Sequence, residues 1–93
     1  MEITWNPAKR LANLKKHGLD FADAELVFSG YTLTRPDHCF DYDGEARFST
    51  IGLLDEVVVM IAHTESGDHI HLISMRKAER HEREHYFANF WSR

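Results

Sequence analysis

The chain of 93 residues has one cysteine, Cys39, no long hydrophobic run and no apolar segment near its first residue. One cysteine cannot form an internal disulfide, so the sequence excludes a disulfide-stapled secreted fold and a cysteine-based zinc site. The longest apolar run, residues 57–62, is far too short to cross a bilayer. Because residues 1–10 contain no apolar signal core, we expect a cytoplasmic protein without membrane contact.

The net charge of −4 is unevenly distributed along the chain. Residues 1–18 and 74–93 are both net basic, whereas residues 19–73 contain eleven acidic residues against two arginines. An acidic total argues against non-specific binding to nucleic acid, but two basic ends that meet in the fold would still allow it. With 43% hydrophobic and 28% charged residues, the composition is that of a folded protein, and we expect residues 1–93 to form a single domain.

The first third of the sequence predicts two helices. Asn6 is a suitable helix cap, Pro7 occupies the first helical position, and Gly18 supplies the left-handed residue that ends the helix. A second, shorter helix begins at Asp20. Its apolar stripe consists of Phe21, Ala24, Val27 and Phe28.

After Gly30 the sequence predicts four strands in a meander and then a third helix at about residues 78–90. The strand segments read SGYTLTRPD, ARFSTIGLL, EVVVMIAHTE and HIHLISMR. Pro36 places the first strand at a sheet edge or ends it, and Asp43 and Gly44 are typical of a hairpin turn. The predicted class is therefore α+β, with two N-terminal helices, a four-stranded antiparallel sheet and a C-terminal helix.

The predicted last helix contains His81, Glu82 and His85, which match the H-E-x-x-H pattern of zinc metalloproteases. Such a site also needs a third protein ligand, and no His, Glu or Asp follows His85. The upstream alternatives are His63, His69 and His71. Since charged residues crowd this helix, a chance match is the better interpretation, and we expect neither a metal nor another cofactor.

Arginine, histidine and tyrosine side chains are predicted near one end of the sheet. Arg76 ends the fourth strand, Arg80 begins the last helix, His63 ends the third strand, and Arg47 lies on the second strand. Together with Tyr86 they supply the groups that metal-free RNA cleavage needs: a base for the 2′-hydroxyl, an acid for the leaving oxygen, and cations for the phosphorane. The alternatives are surface ion pairs for the arginines and a half-buried histidine bonded to a carbonyl.

Four segments, taken in order, resemble the BrnT family of bacterial type II toxins. They read EITWNPAKRLANLKKHGLDFADAELVF, RFSTIGLL, VVVMIAHTE and DHIHLISMRKAERHEREHY. The resemblance covers residues 2–86, and Met75 stands where the family has alanine. It implies a RelE-like fold, an endoribonuclease that needs no metal, and inhibition by a BrnA-type ribbon-helix-helix antitoxin. DNA would be contacted indirectly, through that antitoxin.

By position, the resemblance implies a catalytic site formed by Arg47, His63, Arg76, Arg80, Glu82 and Tyr86. Arg76 and Arg80 would hold the scissile phosphate, His63 or Glu82 would be the general base, and Tyr86 would orient the phosphate or donate a proton. The alternative is a non-catalytic module of the toxin fold that acts as co-repressor in a DNA-binding complex. The acidic middle of the chain and Met75 favour that alternative.

Overall fold

The computed structural model describes residues 1–37 and 46–93, so Cys39 and the turn predicted at Asp43 and Gly44 lie outside the described residues. A 3₁₀ turn at Phe21–Asp23 leads into the second helix. The elements in chain order are β1 (Glu2–Thr4), α1 (Pro7–His17), α2 (Ala24–Phe28), β2 (Thr32–Asp37), β3 (Arg47–Leu54), β4 (Val57–Ser66), β5 (His69–Lys77) and α3 (Arg80–Ser92).

The strands of the described residues form a five-stranded mixed sheet in the order β1-β5-β4-β3-β2. Strands β2 to β5 are the predicted antiparallel meander, with β2 and its proline at one edge. The predicted architecture, two N-terminal helices followed by a four-stranded antiparallel sheet, was nevertheless wrong, because a strand precedes α1 and the sheet is mixed with five strands. Strand β1 lies parallel to β5, with Glu2 opposite His69 and Thr4 opposite His71, and so adds a fifth strand.

Helix α1 has the predicted ends. The side chain of Asn6 accepts hydrogen bonds from the backbone N–H groups of Ala8 and Lys9, and Pro7 is the first helical residue. Gly18 ends the helix with a φ of 70°, in the left-handed region that favours glycine. These local signals fix the length of α1.

A buried asparagine, Asn13, joins α1 to the edge of β5. Its Nδ2 donates to the carbonyls of Met75 (2.8 Å) and Leu19 (3.1 Å), and its Oδ1 accepts from the N–H of Met75 (3.0 Å). Strand β1 pairs with β5 over residues 69–71. Further along β5, the side-chain amide of Asn13 therefore makes the backbone hydrogen bonds that a neighbouring strand would make.

The two faces of the sheet pack against different helices. On one face, the α1/α2 face, the buried residues are Leu19, Phe21, Ala24, Val27, Val59, Ile61, Ile70, Leu72 and Met75. On the other, the α3 face, they are Ile51, Val58, Met60, Ala78 and Tyr86. Helix α3 covers the end of its face near the β3–β4 turn, and the polar remainder of that face is open.

A candidate active-site cleft on the α3 face

Strand alternation places polar side chains on the part of the α3 face that the helix leaves open. In one row across the sheet, Arg35 pairs with Ser49, Ser49 with Ala62, and Ala62 with Ser74. Successive side chains of a strand point to opposite faces, so Arg76, two residues after Ser74, emerges on this same face. The register thus brings two arginines from separate strands to one surface.

A cleft of about 630 Å³ lies between this surface and the first turn of α3. Its lining residues come from four strands and the helix: Arg35, Pro36, Asp37, Ser49, Met60, Arg76 and Glu82. The strands form its floor and α3 forms a wall. A concave site with several converging polar groups is the usual form of a binding or catalytic site.

Arg76 is held at the wall of this cleft by Glu82. Its Nη1 and Nη2 donate to Oε1 and Oε2 of the carboxylate at 2.9 and 3.0 Å, and Nη1 also donates to the Lys77 carbonyl at 3.1 Å. The side chain of Arg76 is 36% exposed, whereas that of Glu82 is 7% exposed. The guanidinium group is therefore fixed in orientation and still accessible to an anion in the cleft.

Glu82 also helps to cap the N-terminus of α3. Its Oε1 accepts from the backbone N–H of Glu79 at 2.7 Å, and the Glu79 side chain accepts in return from the backbone of the first turn, which completes a capping box. Hydrogen bonds from Arg76, and then that from Glu79, hold the pKa of Glu82 below its ordinary value. A carboxylate with a lowered pKa and both oxygens engaged is a positioning group and a weak proton acceptor.

The structure does not bring His63 to the cleft. This residue lies on the α1/α2 face, where its side chain is fully buried between the rings of Phe28 and Phe48. Its Nε2 is 2.7 Å from the hydroxyl of Thr50, its Nδ1 lies 3.6 Å from a carboxylate oxygen of Glu65, and burial lowers the pKa of the imidazole. The sheet separates His63 from Arg76.

Tyr86 and Arg80 also lie away from the described lining of the cleft. The buried hydroxyl of Tyr86 donates to the Tyr31 carbonyl at 2.8 Å, and burial raises the pKa of this phenol. Arg80 is exposed on the first turn of α3 and pairs with Glu84 at 3.0 Å. As placed here, Tyr86 anchors α3 to the residue that precedes β2, and Arg80 forms a surface ion pair.

Arg47 begins β3 on the same face as the cleft, one row beyond Ser49. Its partners across the sheet are Asp37 and Thr64. Its Nε is buried and has no hydrogen-bond partner among the described residues. Of the six residues expected from the sequence, the structure brings Arg76 and Glu82 together at the cleft and places Arg47 beside it.

Sequence reasoning missed Arg35 as a residue of the cleft. One signal was present, because Leu33 and Arg35 are two residues apart and therefore share one face of β2. The structure pairs Arg35 with Ser49, on the same strand face as Arg47. The predicted meander made β3 the neighbour of β2 but did not give the register of the pair, so the expected site contained no residue from β2.

The H-E-x-x-H match on α3 does not form a metal centre in this arrangement. Glu82 points inward to Arg76, whereas His81 and His85 are exposed. In residues 1–37 and 46–93, no group of three or more His, Cys, Asp or Glu side chains is arranged to hold a metal ion. The glutamate of the motif, Glu82, serves as the partner of Arg76.

The chain matches the model of a known protein family. The family model described as the ribonuclease toxin, BrnT, of type II toxin-antitoxin systems matches residues 5–82. The matched span contains all the described residues that line the cleft, from Arg35 to Glu82. No curated protein matches the chain. Within the described residues, no helix is long and apolar enough to span a membrane.

Proposed function

The chain belongs to the BrnT family of ribonuclease toxins of type II toxin–antitoxin systems, and on this premise we propose that it cleaves RNA in the cleft on the α3 face. One observation carries the choice of site. Arg76 is fixed by a bidentate hydrogen bond to buried Glu82, and its side chain, which lines the cleft, is still 36% exposed. Such a fixed cation suits a phosphate that gains negative charge during cleavage.

The proposed role of Arg76 is to stabilise the phosphorane. When the 2′-oxygen attacks the adjacent phosphorus, negative charge develops on the non-bridging oxygens. A donor whose position is already fixed need not be reoriented during the reaction, and one such donor contributes about 3–4 kcal/mol to transition-state stabilisation. Arg35 borders the same cleft from β2 and supplies a second guanidinium group for the RNA backbone.

We propose that this cleavage needs no metal ion. Arg35 and Arg76 place two guanidinium groups at the cleft, where they can donate hydrogen bonds to the phosphate oxygens that a divalent cation would otherwise bind. An attack by the 2′-hydroxyl also requires no activated water, because the nucleophile belongs to the substrate. The products would be a 2′,3′-cyclic phosphate and a 5′-hydroxyl.

The proposed partner is a BrnA-type ribbon-helix-helix antitoxin, through which the complex would contact DNA. Two features support such a partner. The cleft is open on the α3 face, and Trp91 near the end of α3 is 78% exposed, with its ring 5.1 Å from that of Phe90. Exposed aromatic side chains are typical anchors of protein interfaces. We place the protein in the cytoplasm, where both RNA and the antitoxin are present.

Cleavage of single-stranded RNA by the purified protein in excess EDTA tests the activity and its metal independence together. We expect cleavage with 2′,3′-cyclic phosphate ends, and loss of cleavage when the antitoxin is added. A preparation of Arg76→Ala, purified in parallel, controls for contaminating ribonuclease. Activity that EDTA abolishes and zinc restores would contradict the proposed chemistry. A wild-type protein that cleaves no RNA but strengthens DNA binding by the antitoxin would instead be the non-catalytic co-repressor.

A further inference from the structure

A second pocket, of about 170 Å³, adjoins the cleft between α3 and the β2–β3 edge of the sheet. It is lined by His85 together with Leu33, Thr34, Arg35, Ser49 and Ile51. Arg35 and Ser49 line both cavities, so the pocket lies directly beside the cleft that contains Arg76. The imidazole of His85 therefore borders the same surface as the proposed phosphate site.

The acid and base groups expected from the sequence are engaged elsewhere in the fold. His63 is buried on the opposite face of the sheet, and the oxygens of Glu82 accept from Arg76 and Glu79. The hydroxyl of Tyr86 donates to a backbone carbonyl. RNA cleavage at neutral pH still requires a group that gains or loses a proton, and an accessible imidazole is best suited to this task.

Helix geometry places Glu82 and His85 on the same side of α3. Glu82 and His85 are three residues apart and so lie on neighbouring positions of one helix face. Glu82 fixes Arg76, while His85 faces the adjoining pocket one turn later. The amide nitrogen of Asn89, one further turn along, donates to the His85 carbonyl at 2.9 Å and lies 3.5 Å from Nδ1 of His85.

We infer that His85 is the proton-transfer residue of the cleft, an inference that rests on the proposed ribonuclease function. In the reaction the bond between the 2′-oxygen and phosphorus forms, and the bond between phosphorus and the 5′-oxygen breaks. His85 either takes the 2′-hydroxyl proton or gives a proton to the departing 5′-oxygen, and it recovers its starting state by exchange with water. The cyclic phosphate and the 5′-hydroxyl account for all atoms, and no oxidant or reductant takes part.

The charged residues that line the two cavities lie on three elements around His85. Arg35 and Asp37 come from β2, Arg76 comes from β5, and Glu82 lies on α3 itself. The arginines can hold the phosphate while the imidazole acts on an oxygen bonded to the same phosphorus.

The test compares His85→Ala and His85→Gln with a matched control, His81→Ala. His81 is an exposed histidine on the same helix and lies outside both cavities as described. We expect both His85 variants to lower kcat by about 100- to 10,000-fold with little change in KM, and the control to cleave like wild type. Glutamine retains hydrogen bonding but cannot carry the proton, so it should not restore activity. Thermal melting of each variant checks that the fold is kept.

A substrate with a 5′-bridging sulfur identifies the direction of proton transfer, since a thiolate leaves without protonation. Restored cleavage in His85→Ala would show that His85 donates the proton, and unrestored cleavage that it removes the 2′ proton; both outcomes support the inference. Full activity in His85→Ala, or its recovery in His85→Gln, would overturn it. If wild type cleaves and Arg76→Ala does not, while His85→Ala does, the inference fails and the proposed function stands. If wild type cleaves no RNA, both fail.

Discussion

Asn13→Ala removes three hydrogen bonds that join α1 to β5 and to the segment after α1. The substitution leaves the N–H and carbonyl of Met75, and the carbonyl of Leu19, without their partner. A buried polar group that loses its partner costs about 1–3 kcal/mol. Because water can enter the space of the truncated side chain, we expect a total loss of about 2–4 kcal/mol in the free energy of unfolding, a large share of the usual 5–15 kcal/mol.

Urea unfolding followed by circular dichroism measures this loss, and thermal melting should show a fall of about 10–25 °C for a domain of this size. Asn89→Ala is the matched control. Both substitutions replace an asparagine inside a helix with alanine, so both gain the same helix propensity. The side-chain amide of Asn89, however, donates to the His85 carbonyl at an exposed position. Asn13→Ala should be at least about 1.5 kcal/mol less stable than this control.

Hydrogen exchange at Met75 refines the same test, since its amide should lose protection in Asn13→Ala. The position matters for function, because Met75 precedes Arg76 on β5. If Asn13→Ala matches Asn89→Ala in stability, and if the Met75 amide stays protected, then Asn13 does not replace a strand neighbour. The account of how the end of β5 is held would then be wrong.

Two further predictions concern packing and pH. Gly52→Ala should lower the free energy of unfolding, measured in urea, by about 1–3 kcal/mol, because the added Cβ would lie 2.7 Å from Cγ1 of Val27 on α2. A stability equal to that of wild type would show that α2 can shift freely. Glu82 has a lowered pKa in the folded state, so its contribution to stability is present above the ordinary pKa of a glutamate and is lost as the pH falls through that lowered pKa. Stability of Glu82→Gln should therefore depend less on pH in this range than that of wild type, and parallel curves would refute the assignment.

The parts of the fold that depend on neighbouring residues were predictable from the sequence. Asn6, Pro7 and Gly18 act within one helical turn of the end that they define, and the ends of α1 were predicted correctly. Strand β1 was not predicted, because three residues are too few to show a periodic pattern. Its pairing of Glu2 with His69 depends on a partner far along the chain, and local sequence does not encode that choice.

The candidate site was predictable only in part, because the register of the strands decides which side chains share a face of the sheet. Arg76 could be placed because it ends a strand just before a helix. His63 was expected near Arg76 at one end of the sheet, and it lies on the opposite face. The two-residue connection between Leu54 and Val57 pairs Phe48 with His63, and Phe48 lies on the face opposite Ser49. A one-residue difference in register decides the face, and Arg35 was missed because the register between β2 and β3 was equally undetermined by the sequence.

The central claim is that Arg76 is the phosphate-binding cation of an RNA-cleaving cleft. Arg10 offers a matched control, because it forms a comparable two-point pair with Asp20 at 2.7 and 3.0 Å, and its side chain is 40% exposed. It lies on α1 and does not line the cleft as described.

The most direct measurement is the rate of RNA cleavage by Arg76→Ala and Arg10→Ala, each assayed below its own melting temperature. We expect Arg76→Ala to cleave about 100- to 1,000-fold more slowly than wild type, which corresponds to about 3–4 kcal/mol, and Arg10→Ala to cleave at the wild-type rate. Arg76→Lys should recover only part of the loss, because an ammonium group cannot reproduce the guanidinium fork. A folded Arg76→Ala that cleaves RNA as fast as Arg10→Ala would contradict the account.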